Sequence, residues 1–362
     1  MSQTNGSATN SGGGRYDAVL LLSFGGPEQP EDVMPFLRNV TTGRNVPDER
    51  LAVVAKQYEL FGGRSPINDH CRELLAALTE ELAGGPSELP IYWGNRNWHP
   101  MLGDTVAEMV ADGVERALVF TTSAFGSFSG CRQYRQDLEQ AAEAAGAKAP
   151  HLQKLRLFYN HPGFIEPLAD NLRKSLADSG SESASESPSE SESAEYHRVV
   201  FTAHSIPDSM AAVCSYQDQL AEAARLTMEA AGLADLRFDL VFQSRSGPPT
   251  MPWLEPDIND HLKTLAEEGI DAVTVVPIGF VSDHMEVMFD LDTQAKATAA
   301  ELGLRFNRVP TVGTAHRFVT MIRELIEEQL LAKPKLHIGS DGPWPDDCPS
   351  DQHCVPAARP TR

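Results

Sequence analysis

The run 272-AVTVVPIGFVSDHMEVMFDLD-292 decides how this chain is read. Its first eight residues are apolar and rich in β-branched types, which predicts a strand buried on both faces. A histidine and four acids then follow within one helical length. A surface helix carries such charges for solubility, but here they begin where a core strand ends. In an open parallel α/β sheet the carboxyl ends of the strands line the ligand crevice. The segment is therefore placed on the wall of a cleft.

Working outward, short aliphatic runs recur, each followed by a helical pattern, which predicts parallel sheets built from βαβ units. In the first half they are Ala18–Ser23, Ile91–Gly94, Ala117–Thr122 and Lys154–Phe158. In the second they are Val199–Ala203, Phe238–Gln243, Ala272–Pro277 and Arg305–Val309. The halves also match in detail. The first strand of one closes in 23-SFGGP-27 and that of the other in 203-AHSIP-207, and the third strands run into 123-SAFGSFSG-130 and 279-GFVSDHME-286. The fold class is α/β, with two similar Rossmann-like domains, each a four-stranded parallel sheet flanked by helices, facing one another across a cleft. Their expected limits are 16–175 and 196–332.

The rest of the chain is tail and insert. Residues 1–15 have no charged or apolar leader pattern and read as disordered. The insert 179-SGSESASESPSESESAE-195 has five Glu, no Lys or Arg and no apolar periodicity, so disorder is expected there too. Residues 333–362 form a C-terminal extension with the pair 348-CPSDQHC-354. With a net charge of -21 and a pI near 4.9, nucleic acid and anionic membranes are poor partners, whereas cations are attracted. There is no window of about 18 consecutive apolar residues, so no transmembrane segment is expected and the location is read as cytoplasmic. The five cysteines are too few and scattered for a secreted disulfide framework. Cys348 and Cys354, in a tail with little core to offer, are either a surface thiol pair or a metal or cluster site.

For chemistry, His204 ends a strand and Glu286 follows the third strand of the same half, so both face the cleft at similar depth. Asp290 is four residues beyond Glu286, on the same helical face, while Asp283 and Asp292 lie off it. A carboxylate beside an imidazole can accept protons or hold a divalent ion, and a line of carboxylates makes a path. No GxGxxG, Walker, HExxH or GxSxG pattern is present, so a nucleotide is not the expected ligand. Aromatic residues at strand ends and turns, among them Phe24, Tyr58, Phe125, Phe128, Trp253 and Phe280, suit a flat apolar one.

The strings 56-KQYELFGGRSPI-67, 202-TAHSIP-207, 242-FQSRSGPPTMPWLEPDI-258 and 279-GFVSDHMEVMFDLD-292 together resemble those of ferrochelatases, over roughly Tyr16 to Ile326. The resemblance implies a chelatase-type fold with a porphyrin between two Rossmann-like domains. It implies that His204 and Glu286 are the catalytic pair that meets Fe(II), with Asp290 and Asp283 as a metal relay. Where some relatives carry another acid a turn later, this chain has Gln294. Phe24, Tyr58, Ser65 and Tyr134 resemble porphyrin-binding residues, the last three as propionate partners. Phe24 stands where some relatives place a ligating Tyr, and Gln57 where some have Arg.

Within the family the pattern is similar to the actinobacterial type. That implies coproporphyrin III as substrate, with Fe(II), and coproheme as product in haem biosynthesis; protoporphyrin IX is the alternative. It also implies a [2Fe–2S] cluster, with Cys131 of the SGC segment and Cys348 and Cys354 of the tail as ligands. A fourth cysteine is missing from its expected place: Asp351 stands there, with His353 close by, so the fourth ligand stays open. Cys71 and Cys214 are expected to be buried structural thiols. A monomer is expected, with transient contact to a downstream coproheme decarboxylase. A sirohydrochlorin chelatase would carry a metal-site His in place of the acidic run around Glu286. A non-catalytic porphyrin or iron-sulfur binding protein would have no need of both His204 and Glu286.

Overall fold

The computed structural model describes residues 15–43, 46–181, 196–247, 250–348 and 353–356. Residues 1–14 and 182–195 of the expected disordered segments, and Asp351, lie outside them. Residues 179–181 belong to the helix Pro162–Ser181 rather than to the insert.

Among the described residues eight strands form two parallel sheets of four. The first contains β1 (Ala18–Ser23), β2 (Ile91–Asn95), β3 (Arg116–Thr121) and β4 (His151–Lys154), in the order β2-β1-β3-β4. The second contains β5 (His197–His204), β6 (Phe238–Gln243), β7 (Ala272–Val276) and β8 (Arg305–Arg308), in the order β6-β5-β7-β8. The two orders are the same order. The central strands β1 (AVLLLS) and β7 (AVTVV) are buried along their whole length, and β3 and β5 over all but their ends, because helices cover both faces. Edge strands β4 and β8, HLQK and RFNR, are polar and partly exposed.

One strand lies elsewhere than expected. The expected strand Lys154–Phe158 begins where β4 ends: residues Leu155–Phe158 are the buried segment that follows it, and the pairing with β3 ends at Lys154 opposite Val119. Leu155, Leu157 and Phe158 are buried in the main core instead, just beyond the edge strand.

The sheets divide along the sequence, but the core does not. Leu21, Phe120 and Phe158 of the first half pack in one apolar cluster with Phe201, Phe318 and Ile322 of the second. The closing helix His316–Leu330 buries Phe318, Met321, Ile322, Leu325 and Ile326 and packs back on the helices Ile67–Leu82 and Pro162–Ser181 of the first half. Arg156 and Glu328 join the same elements through two hydrogen bonds of 2.8 Å, both side chains being buried. Such a fork satisfies both charges, and removing one partner alone leaves the other stranded in low dielectric.

The extension then runs over both halves. Ile338 N–H donates to Asn160 O at 2.9 Å, Trp344 meets the Tyr159 ring edge at 6.4 Å, and Cys354 N–H donates to Val213 O at 2.8 Å.

Candidate active site in the cleft

In each sheet the chain leaves its first strand to one side and returns for the third strand on the other. The gap between the carboxyl ends of those two strands is where such sheets bind ligands. In the second half that gap lies between β5 and β7, and it holds His204.

Glycine brings the acidic run to it. A Cβ on Gly279 would stand 2.7 Å from Ala203 Cα and Cβ, and Gly279 N–H donates to Thr202 O at 3.0 Å. The chain leaving β7 thus crosses directly over the end of β5, an approach only glycine allows. His284 then caps the following helix, its Nδ1 accepting from Glu286 N–H at 3.2 Å, and its ring meets Phe280 edge-on at 4.9 Å. Burial holds the His284 imidazole below its usual range, so it stays neutral and able to accept.

After one turn, Met285–Val287, the helix widens into a π-helix, Met288–Ala295. Its looser winding suits residues four and five apart to share a face, and such segments concentrate at functional sites. Glu286 Oε2 lies 4.0 Å from His204 Nε2, with side chains 47% and 34% exposed, so both remain open to a ligand. On its other side the His204 Nδ1 is hydrogen-bonded to Ser205 O. A carbonyl only accepts, so the neutral ring carries its proton on Nδ1 and presents a bare Nε2 to the cleft.

The four acids separate into two pairs. Asp290 hydrogen-bonds with Ser244 Oγ and Gln243 Nε2 beside Glu286. Burial pushes its carboxyl up to about 6; the Ser244 hydroxyl opposes the shift and the Glu286 charge adds to it. Asp283 and Asp292 are both held by Arg308: Asp283 Oδ1 accepts from Nη1 at 2.9 Å, and Asp292 accepts from Nε at 2.7 Å and Nη2 at 3.0 Å. Asp283 also accepts from Thr311 N–H at 3.3 Å. Asp283, expected in the relay, is thus ion-paired with Arg308 at the end of β8, and Asp292 ties the π-helix to the same guanidinium. Gln294 is exposed.

The opposite wall is apolar. Phe36 meets Phe24, Tyr58 and Trp98 edge-on at 6.3, 6.2 and 6.1 Å, and Met285 from the other half closes the same cluster with Phe289. Burial raises the Tyr58 phenol, and the Glu286 charge adds to it, so Tyr58 stays protonated. Tyr134 is buried beneath the Arg96 guanidinium, 4.4 Å from its ring centroid, and Arg96 also lies over Phe24 at 5.8 Å. Ser65 is buried too, with its Oγ accepting weakly from Ile67 N–H at 3.4 Å. Phe125 is remote from this wall, packed on Tyr159 and Tyr216 in the main core. Phe36, Trp98 and Arg96 were not singled out from sequence; the motif residues around them carried the only available signal, whereas His284 is the histidine of the run that opens onto the cleft.

Four of the five free thiols gather where the extension ends. Cys131 and Cys348 line one small cavity with Arg135 and Lys154. Cys214, expected as a buried structural thiol, is half-buried and hydrogen-bonded to Cys354. That bond raises Cys354 and lowers Cys214. Cys354 also feels the charges of Cys131 and Cys348. Among the described residues no three His, Cys, Asp or Glu side chains converge tightly enough for a single ion. The four thiols stand in two pairs, Cys131 with Cys348 and Cys214 with Cys354. Cys71 is buried apart from them, beside Ser23 and Trp93.

Among known proteins, the family described as Ferrochelatase matches residues 16–330. A coproporphyrin III ferrochelatase from Nocardia farcinica is 51% identical over 356 residues, covering 95% of this chain and 98% of that one. A ferrochelatase from Rhodopirellula baltica is 48% identical over 338 residues, with 93% of each chain covered. Among solved structures, SirB from Bacillus subtilis with Fe3+ superposes with a TM-score of 0.52 at 12% identity, covering 87% of this chain and 97% of that one, which is a likeness of fold. No helix among the described residues is long and apolar enough to cross a membrane.

Proposed function

This chain belongs to the ferrochelatase family, and from that premise we propose that it inserts ferrous iron into coproporphyrin III, giving coproheme and releasing two protons. The observation that carries the reading is the bare His204 Nε2 facing Glu286 at 4.0 Å across an open cleft.

Metalation must remove two pyrrole protons and admit a divalent ion in their place. His204 Nε2 is a lone pair aimed at the cleft, so it takes the first proton. Glu286 stabilises the imidazolium so formed and offers a carboxylate to arriving Fe(II). With one imidazole and one carboxylate the pair holds an ion loosely, as an ion in transit requires. Asp290 lies next along the path; with its carboxyl near 6 it exchanges protons close to neutrality. The relay we propose is Glu286 and Asp290, without Asp283. Phe24 and Tyr58 would face the macrocycle from the apolar wall, with Ser65 and Tyr134 behind it, Tyr134 acting through Arg96. Phe24 cannot ligate iron, so the product's axial site falls to His204 or water.

Coproporphyrin III is preferred over protoporphyrin IX because the Nocardia relative carries that description. In the same reading the cytoplasm is the site of action, and coproheme passes on to a decarboxylase. We also propose that Cys131, Cys348 and Cys354 hold a [2Fe–2S] cluster, which when bound would supply a cross-link fixing the extension to the body of the protein.

Anaerobic Fe(II) insertion followed by absorbance, with the two porphyrins at equal concentration, tests the reading. Faster turnover of coproporphyrin III is expected. Turnover of neither porphyrin would leave only a binding function.

A further inference from the structure

We infer that Cys214 is the fourth thiolate of the cluster site, with Cys214 and Cys354 holding one iron and Cys131 and Cys348 the other. The inference rests on the proposal that a cluster binds at all, and extends it to a residue from another part of the chain.

Placement carries it. Cys214 lies in the turn between the short helix Asp208–Ala211 and the helix Tyr216–Ala230, far from both Cys131 and the tail in sequence. The tail is nevertheless fastened to that turn by the Cys354 N–H to Val213 O bond of 2.8 Å, and the Cys214 and Cys354 thiols meet each other. Cys354 adopts φ +57°, a left-handed backbone that a side chain other than glycine's seldom takes and that marks a constrained position. On the far side, Cys131 and Cys348 face one cavity. Thus two pairs of sulfur stand together, each pair joining a residue of the body to one of the tail.

The rival for the fourth position is His353, and its contacts argue against it. Its Nε2 lies 3.2 Å from Ser215 Oγ, its ring rests on Trp344 at 5.7 Å, and its Nδ1 lies 2.9 Å from Cys354 Sγ and 3.6 Å from Cys348 Sγ. Engaged at both nitrogens, it is placed to donate a hydrogen bond to sulfur, the kind of contact that tunes a cluster's potential. Arg135 and Lys154 at the cavity, and Arg132 donating to His353 O at 3.0 Å, bring positive charge to a site whose four thiolates outweigh its iron. The pairing also reaches the active site: Tyr216, two residues after Cys214, donates its hydroxyl to His204 O at 3.0 Å.

The test is anaerobic reconstitution of the full chain with ferric iron and sulfide, reading bound iron, bound sulfide and the visible charge-transfer bands. Wild type and Cys71→Ser should take up equal cluster. Cys214→Ser should lose it, or keep it with bands moved to the blue as oxygen replaces one sulfur, while His353→Asn should retain iron with unmoved bands. Full content and unmoved bands in Cys214→Ser, with loss in His353→Asn, would give the fourth position to the imidazole and overturn the assignment. No uptake by wild type would overturn the cluster itself, a failure separate from that of Cys214. Should Cys214→Ser not fold, alkylation of wild type decides: Cys214 should be protected when loaded and modified after chelator stripping. Equal modification in both states, or a Cys214–Cys354 disulfide in the loaded protein, also overturns it.

Discussion

The crevice between β1 and β3 and the one between β5 and β7 are built on one plan, with the same strand order and the same turn closed by Pro27 in one and Pro207 in the other. At the matching position the first carries Phe24 and the second His204. The first half supplies rings that give and take no protons, with Phe36, Tyr58 and Trp98 around Phe24. The second supplies Glu286 and Asp290 beside His204. Topology therefore makes the cleft, and side-chain identity at two equivalent strand ends gives one wall the chemistry and the other the surface on which a flat ligand rests.

The sharpest way to break this comparison is to cut both positions alike. His204→Ala should lower kcat for metalation by roughly 10²- to 10⁴-fold, the range for losing a positioned base, with little change in porphyrin affinity. Phe24→Leu should raise the porphyrin KM and leave kcat near wild type. Stopped-flow metalation beside fluorescence titration reads both, and an equal loss of kcat at the two positions would show that the walls are not divided in this way.

Asp290 tests the catalytic wall itself. Its folded carboxyl, near 6, lies above the unfolded value of 3.8, so the native state binds the extra proton and loses stability as pH rises through that interval. Asp290→Asn, being neutral throughout, should therefore be more stable than wild type by about 2–3 kcal/mol above pH 6, the gain shrinking as pH falls toward 4. Urea midpoints at several pH values check this, and the same variant should be slower in iron uptake. The smallest effect is expected at Asp283. Asp283→Asn should cost about 1 kcal/mol of stability through the weakened Arg308 contact and leave the KM for Fe(II) unchanged. A KM raised as much as in Asp290→Asn would return Asp283 to the path.

What the sequence disclosed follows burial. Strands whose faces are both covered, such as Ala18–Ser23 and Ala272–Val276, announce themselves as runs of apolar and β-branched residues and lie where they were expected. His151–Lys154 gave no such signal, because an edge strand need not be apolar. His204, Glu286 and Asp290 were legible from their order after strands. Which acids stay open to the cleft was not, since that depends on Arg308 some sixteen residues beyond Asp292 in the chain and hydrogen-bonded to it in space. The π-form of the helix was hidden for a related reason: 285-MEVMFDLDTQA-295 has no composition that separates a wide helix from an ordinary one. That Cys214 lies against the tail was hidden because nothing local to it says that the tail returns there.

The helix His316–Leu330 completes a core begun by Leu21, nearly three hundred residues earlier. During synthesis the first half therefore leaves the ribosome with its sheet complete and the groove between the helices Ile67–Leu82 and Pro162–Ser181 still open to water. That groove is filled only once Phe318 and Ile322 have emerged. This helix thus acts as a latch on helices laid down long before it, and a chain cut short ahead of Phe318 would present that groove to chaperones and proteases rather than to a porphyrin.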